Sequence, residues 1–132
     1  MKELSVQTER RSQLVDITEL VRAAVAGETG AAVLVYVPHT TAGVTINEHA
    51  DPAVARDFER ALELIVEDDW GWEHIEAGEE NAPSHIRASL MGPSLVVPLD
   101  DRGSLALGTW QGIFFCEFDG PRRRSVFVSV LA

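Results

Sequence analysis

The sequence predicts an α+β fold with a largely antiparallel sheet and its helices on one side. Three observations predict it. Short β-branched stretches are bounded by Gly, Pro or Asp turns. Other stretches carry apolar residues at helical spacing behind a capping residue. Their order is two strands, a helix, two strands, a pair of helices and then three or four strands, which favours α+β. No linker, repeat or low-complexity tract interrupts it, and 132 residues suit a single domain over 1–132.

Leu4, Val6 and Thr8 alternate with polar residues and predict a first strand. Gln13-Leu14-Val15 is the expected hairpin partner. Asp16-Ile17-Thr18-Glu19 has capping-box spacing, and Ile17, Leu20, Val21 and Ala24 continue it as a helix that Gly27 or Gly30 ends. Residues 31–37 are nearly all apolar and read as a buried strand, stopped or placed at an edge by Pro38. Residues 43–47 predict the next strand. Asp51-Pro52 opens a helix, with Asp51 as cap. Val54, Phe58, Ala61, Leu62 and Ile65 form its apolar stripe. Residues 68–83 form a polar loop with two tryptophans, long for a chain of this size. Ser84 is the expected cap of a short helix bearing Ile86 and Leu90 and closed by Gly92-Pro93. Strands are expected over 94–98, 104–107, 111–118 and 124–131, with a turn at Asp100-Asp101-Arg102-Gly103.

Hydrophobic residues make up 45% of the chain and charged residues 24%, ordinary for a folded domain. The net charge of -10 is not evenly spread. The segment from Glu48 to Glu80 holds 12 acids against 2 bases, and the remainder is neutral. A nucleic-acid binder needs basic surface to release counterions from phosphates, so no nucleic-acid partner is expected. No uncharged apolar run approaches the roughly 20 residues of a membrane span, so no membrane partner is expected either. Met1-Lys2-Glu3-Leu4 lacks the apolar core of a signal peptide. The one cysteine, Cys116, lies in an apolar run as a small core residue. A reducing cytoplasm is the expected location.

The histidines are His39, His49, His74 and His85. Their spacing is no local metal motif, but His39, His74 and His85 fall at element ends or in the loop. Converging, three neutral imidazoles would hold Zn²⁺ with an open fourth position. Solvated or simply hydrogen-bonded histidines are the plainer alternative, above all for His49. Glu48, Asp51, Glu117 and Asp119 would suit Mg²⁺ with substrate phosphates, unless Asp51 is only a cap and Glu117 a solvated sheet residue. The acidic middle is therefore expected to form one rim of a metal-attracting pocket. Gly108-Thr109-Trp110-Gln111-Gly112 reads as an anion nest or a tight hairpin. Arg122-Arg123-Arg124 is the one basic cluster. Alternation sets Arg122 and Arg124 on one face, suited to phosphate, and Arg87 is close enough to His85 to join a pocket. An exposed strand start with surface ion pairs is the alternative.

Three stretches carry a resemblance. They are residues 38–48 with Asp51-Pro52 and Asp57, residues 81–88, and residues 105–113 continuing through 116–122. Together, with Gly-Thr-Trp-Gln followed downstream by Asp-Gly-Pro-Arg, they resemble the YjbQ family, also called UPF0047. The resemblance implies an α+β fold, a homotrimer, and a pocket lined by His39, His74 and His85 with a divalent metal, Zn²⁺ or Mg²⁺. His49 falls where relatives often have Asn and is not counted as a ligand. The activity implied is that of a secondary thiamine-phosphate synthase, joining an aminopyrimidine diphosphate to a thiazole phosphate with release of pyrophosphate. In that reading His39, His85, Gln111 and Arg122 do the chemistry. Thr40, Thr41, Asn81, Arg87, Thr109, Trp110 and Arg124 hold phosphate or ring atoms. A three-histidine site suits zinc better than Mg²⁺. The alternatives are therefore a zinc hydrolase of a small phosphorylated or carbonyl substrate, and a non-catalytic trimer that binds a phosphorylated metabolite.

Overall fold

The structure is a computed structural model that describes residues 1–75 and 80–132. Glu76 and Glu79 of the acidic segment lie outside the described residues. In chain order the elements are β1 (Lys2–Gln7), β2 (Gln13–Asp16), α1 (Thr18–Val25), β3 (Ala32–Tyr36), β4 (Ala42–Glu48), α2 (Pro52–Ile65), α3 (Ala82–Met91), β5 (Ser94–Pro98), β6 (Gln111–Glu117) and β7 (Arg123–Leu131).

The predicted α+β class holds, as a single domain of antiparallel sheet with helices on one side. The strands divide into two sheets, ordered β1-β7-β3-β5 and β2-β6-β4. The main core fills the space between them. Val33, Val35, Val126 and Val128 come from one sheet, Val44, Ile113 and Phe115 from the other, Val21 from α1 and Ile17 from the position just ahead of it. The three-stranded sheet is covered on its other face by α2 and α3, through Phe114, Cys116 and Phe118 against Phe58, Leu62 and Ala88. β6 is thus buried on both faces, which is why its sequence is apolar at consecutive positions. Burial pushes the Cys116 thiol up to about 12, aided by the Glu59 charge, and this keeps it a packing residue.

Several local expectations change. β2 does not pair with β1. It pairs with β6 in the other sheet (Leu14 opposite Cys116), while β1 pairs with β7 (Leu4 opposite Val126). Short strands take partners that bury their apolar face, and sequence proximity does not decide this. Residues 104–107 form no strand, only a bridge between Leu105 and Leu99. Asp16 does not set up a capping box. Its Oδ1 accepts from the Thr18 N–H and hydroxyl, an Asx turn just ahead of α1. Asp51 caps α2 as expected, accepting from Ala53 N–H at 2.9 Å. Ser84 is not the cap of α3 but a buried first-turn residue whose hydroxyl donates to the Phe118 carbonyl. That bond fixes the start of α3 beside the C-terminal end of β6.

Gly43 sets the other end of α3. A Cβ there would lie 2.7 Å from the Gly92 carbonyl oxygen, and that carbonyl accepts from Val44 N–H at 3.0 Å. Pro93 then accepts from Val37 N–H at 2.7 Å, tying the helix exit to the end of β3. The ends of β3 and β6 and the start of β7 therefore meet near α3, and the cavity opens there.

Candidate functional site

A cavity of about 880 Å³ opens at this junction. That lies toward the upper end of the roughly 300–1,000 Å³ usual for ligand pockets. Nine of the residues singled out from sequence line it: His39, Thr40, Thr41, His74, Asn81, His85, Asp119, Arg122 and Arg124. Tyr36 and Pro93 complete much of the wall. Tyr36 and Pro93 were not anticipated. The signal was present for Tyr36, which alternates outward from β3 two residues before Pro38.

Arg124 in the cavity floor is held by a buried ion pair beneath it. Period-2 alternation turns Glu117 of β6 and Arg124 of β7 into the space between the sheets. Arg124 Nε donates to Glu117 Oε2 at 2.7 Å, and Nη2 bonds Oε1. Glu117 also accepts from the Thr8 hydroxyl and from Asp119 N–H, both at 2.9 Å. Arg124 Nη2 reaches the Thr41 hydroxyl at 2.8 Å. Burial works to raise the Glu117 carboxyl, but the bonds from Arg124 and Asp119, the Arg124 charge and the Thr8 bond outweigh it and hold it below the usual carboxylate range. Glu117 is 0% exposed, so it is no solvated sheet residue. Arg122 and Arg124 both line the cavity but sit in different settings. Arg124 is committed to the core, and Arg122 precedes β7 with its side chain half exposed.

Arg122 bonds the Asp119 carboxylate and the Asp119 carbonyl, both at 2.9 Å. Asn81 Nδ2 donates to the same Asp119 Oδ2 at 2.9 Å, leaving its buried Oδ1 without a partner among the described residues. The turn bearing Asp119 packs so closely that a Cβ on Gly120 would meet the Arg10 carbonyl and the Thr8 hydroxyl. Glycine is required there by space.

The three histidines reach one cavity in different ways. His74 and His85 lie edge to face with ring centroids 5.2 Å apart. His39 accepts a hydrogen bond at Nε2 from Ser125 N–H at 3.0 Å. Burial, then the Arg124 charge, pushes its pKa down, so the ring is neutral at neutral pH. A neutral imidazole has one lone pair, and here the Ser125 amide takes it. As oriented, the three rings do not assemble into a three-histidine ligand set. Among the described residues no three His, Cys, Asp or Glu side chains are grouped to hold a metal. His74 and His85 are the pair that would serve a cation arriving with a phosphate.

Four expected residues lie elsewhere. Arg87 faces away on α3, with Nη2 on the Val66 carbonyl and Asp68 and its side chain 3% exposed. Gln111 starts β6 and Glu117 ends it, so six steps of about 3.3 Å, roughly 20 Å, separate the Thr109-Trp110-Gln111 turn from the cavity. Gln111 Oε1 accepts from Gly108 N–H at 2.8 Å, steadying its own turn, and Trp110 is 63% exposed. Among the described residues the acidic segment does not rim this cavity; its Asp68, Asp69 and Glu80 line a neighbouring pocket that shares His74. Asp119 is the one carboxylate lining the cavity, Asp51 caps α2, and Glu48 sits opposite Gln111 at the far end of the sheet.

Fold and site together define a class: a small α+β domain whose sheet ends bring histidines and arginines around one polar cavity. Comparison places it further. The chain belongs to the family described as UPF0047 protein YjbQ-like, whose model matches residues 2–132. It is 46% identical over 129 residues to UPF0047 protein MJ1081 of Methanocaldococcus jannaschii, covering 96% of this chain and 90% of that protein. It is 43% identical over 135 residues to UPF0047 protein YugU of Bacillus subtilis, covering 99% and 98%. The crystal structure of a YjbQ/UPF0047 family protein from Clostridium acetobutylicum, 46% identical, superposes with a TM-score of 0.92 over 99% of this chain and 100% of that one. A hypothetical protein from Aeropyrum pernix, 38% identical, also gives 0.92.

Proposed function

We propose that the cavity is the active site of a secondary thiamine-phosphate synthase, with a phosphorylated small molecule as substrate. The observation that carries this reading is a roomy cavity with two arginines of different character. Arg124 is fixed in the floor, and Arg122 stands half exposed at the wall, its side chain held among the described residues by Asp119 alone, a surface pair that can re-form with an incoming phosphate. About 880 Å³ accommodates two small rings with their phosphates.

The reaction places a lone pair from the thiazole nitrogen on the methylene carbon of the pyrimidine. The carbon–oxygen bond to the diphosphate breaks, and its electrons leave on pyrophosphate. Arg122 stabilises that departing charge. Asn81 and Thr40 hold polar substrate atoms, and Thr41 keeps Arg124 in place. Bringing both reactants into one cavity supplies much of the advantage by orientation. A divalent ion bound with the diphosphate would find His74 and His85 as its protein ligands and would add further charge neutralisation.

The expected homotrimer belongs to the same proposal. Among the described residues no helix covers the outer face of the β1-β7-β3-β5 sheet. Leu34 and Val96 pair across it, and Tyr36 stacks on Phe127 with centroids 6.4 Å apart. Tyr36 also lines the cavity, so subunits closing on this face would border the site.

The test mixes the two thiamine precursors with Mg²⁺ or Zn²⁺ and follows pyrophosphate. Release by the wild-type protein, reduced at least tenfold in Arg122→Ala by loss of a charged phosphate contact, is expected. Equal rates in both proteins would remove Arg122 from the mechanism.

A further inference from the structure

The protonation of His39 is fixed by where β3 stops. In the β3–β7 register Tyr36 lies opposite Phe127. Extending it would set Pro38 opposite Ser125, but the strand ends and the chain turns away. Ser125 N–H is left without a strand partner, and the His39 ring fills that place by accepting at Nε2 at 3.0 Å. A backbone amide can only donate, so Nε2 is unprotonated and the proton of the neutral ring sits on Nδ1. Turning the ring over would set a carbon against Ser125 N–H and strand that donor. Nδ1 has no partner among the described residues, and His39 lines the cavity.

Arg124 shows the same pattern. Its Nε and Nη2 are held by Glu117 and Thr41, and among the described residues Nη1 has no partner. The side chain is 3% exposed, yet it lines the same cavity. Two anchored residues, a neutral ring and a guanidinium, each with one N–H unpaired among the described residues, therefore line it.

We propose that His39 Nδ1–H and Arg124 Nη1–H form a fixed seat for a phosphate oxygen, with His39 acting as a neutral hydrogen-bond donor and not as a metal ligand or general base. This deepens the phosphate reading of the cavity and rests on it. It divides the work: the seat holds one phosphate group rigidly, while Arg122 follows the charge that moves. Fixed donors need no reorganisation as charge develops, the property that makes such seats effective.

Two measurements test it. Heteronuclear NMR of histidine-labelled protein at neutral pH should show His39 as the Nδ1–H tautomer, unmoved by Zn²⁺ and shifted by inorganic pyrophosphate. An Nε2–H tautomer, or Zn²⁺ binding at a His39 nitrogen, overturns the proposal. In His39→Gln the amide oxygen takes the place of Nε2 and keeps the Ser125 bond, while the Nδ1 donor is lost. Calorimetry should show about tenfold weaker pyrophosphate binding with an unchanged melting temperature. Wild-type affinity in this variant also overturns the proposal. Should both results hold while the precursors give no pyrophosphate, the seat stands and the synthase reading fails.

Discussion

Replacing Glu117 by Gln leaves the Arg124 guanidinium buried with no charged partner, and breaking such a pair costs about 3–5 kcal/mol. Urea unfolding at neutral pH measures this. The pH dependence has a definite sign. The folded Glu117 pKa is lowered, so the stability it contributes is full above the unfolded value of about 4.3. It is lost as the pH falls through the lowered folded value. The E117Q variant should lack that part of the acid slope, and an identical slope in both proteins would mean that Glu117 does not titrate differently on folding. At this scale the sequence was informative about residue type and poor about environment. Glu117 follows an apolar run and reads as a strand end reaching water. Only the arrival of β7 in the other sheet, with Arg124 on its inner face, makes a buried carboxylate tenable. Arg87 is the same case, a charge that looks available beside His85 and is turned under α3.

Among the elements, α3 governs the site because it carries His85 and begins beside Asp119. Its seat on β4 depends on Gly43, where the Gly92 carbonyl leaves no room for a side chain. Gly43→Val should destabilise the fold by about 1–3 kcal/mol through overpacking. It should also weaken pyrophosphate binding, because α3 must shift to accommodate the change. Thermal melts and calorimetry on one preparation separate the two effects. Local patterns foretold most elements well. The Asp51-Pro52 start of α2 and the apolar β3 and β6 depend on capping and periodicity, which are local properties. The partner of β2 was not foretold, because four residues facing both α2 and a sheet carry no mark of which strand they join. Residues 104–107 have the alternation of a strand but find no long ladder, leaving a single bridge.

For the molecule as a whole, the fold class and most of the cavity were legible, since His39, His85, Asn81 and Arg122 fall in compact motifs at element ends. The Gly-Thr-Trp-Gln turn is the counterexample. It is as conspicuous in sequence as the histidines, yet β6 runs its full length between the turn and the cavity. Spacing along a chain does not reveal at which end of a strand a motif emerges. The outer sheet face belongs to this scale too. Val96 is 55% exposed beside Leu34, and placing a charge there should dissociate a trimer built on that face. Val96→Glu should therefore run as a monomer by light scattering while retaining its far-UV spectrum. A trimer that survives the change would place the interface elsewhere. The central claim concerns the reaction, and its most direct measurement is product stoichiometry. Incubated with the aminopyrimidine diphosphate, the thiazole phosphate and Mg²⁺, the wild-type protein should form thiamine phosphate and pyrophosphate in equal amounts, and a His39→Ala, Arg122→Ala double variant should form neither above background. Equal product from both proteins, or none from the wild type, would contradict the account.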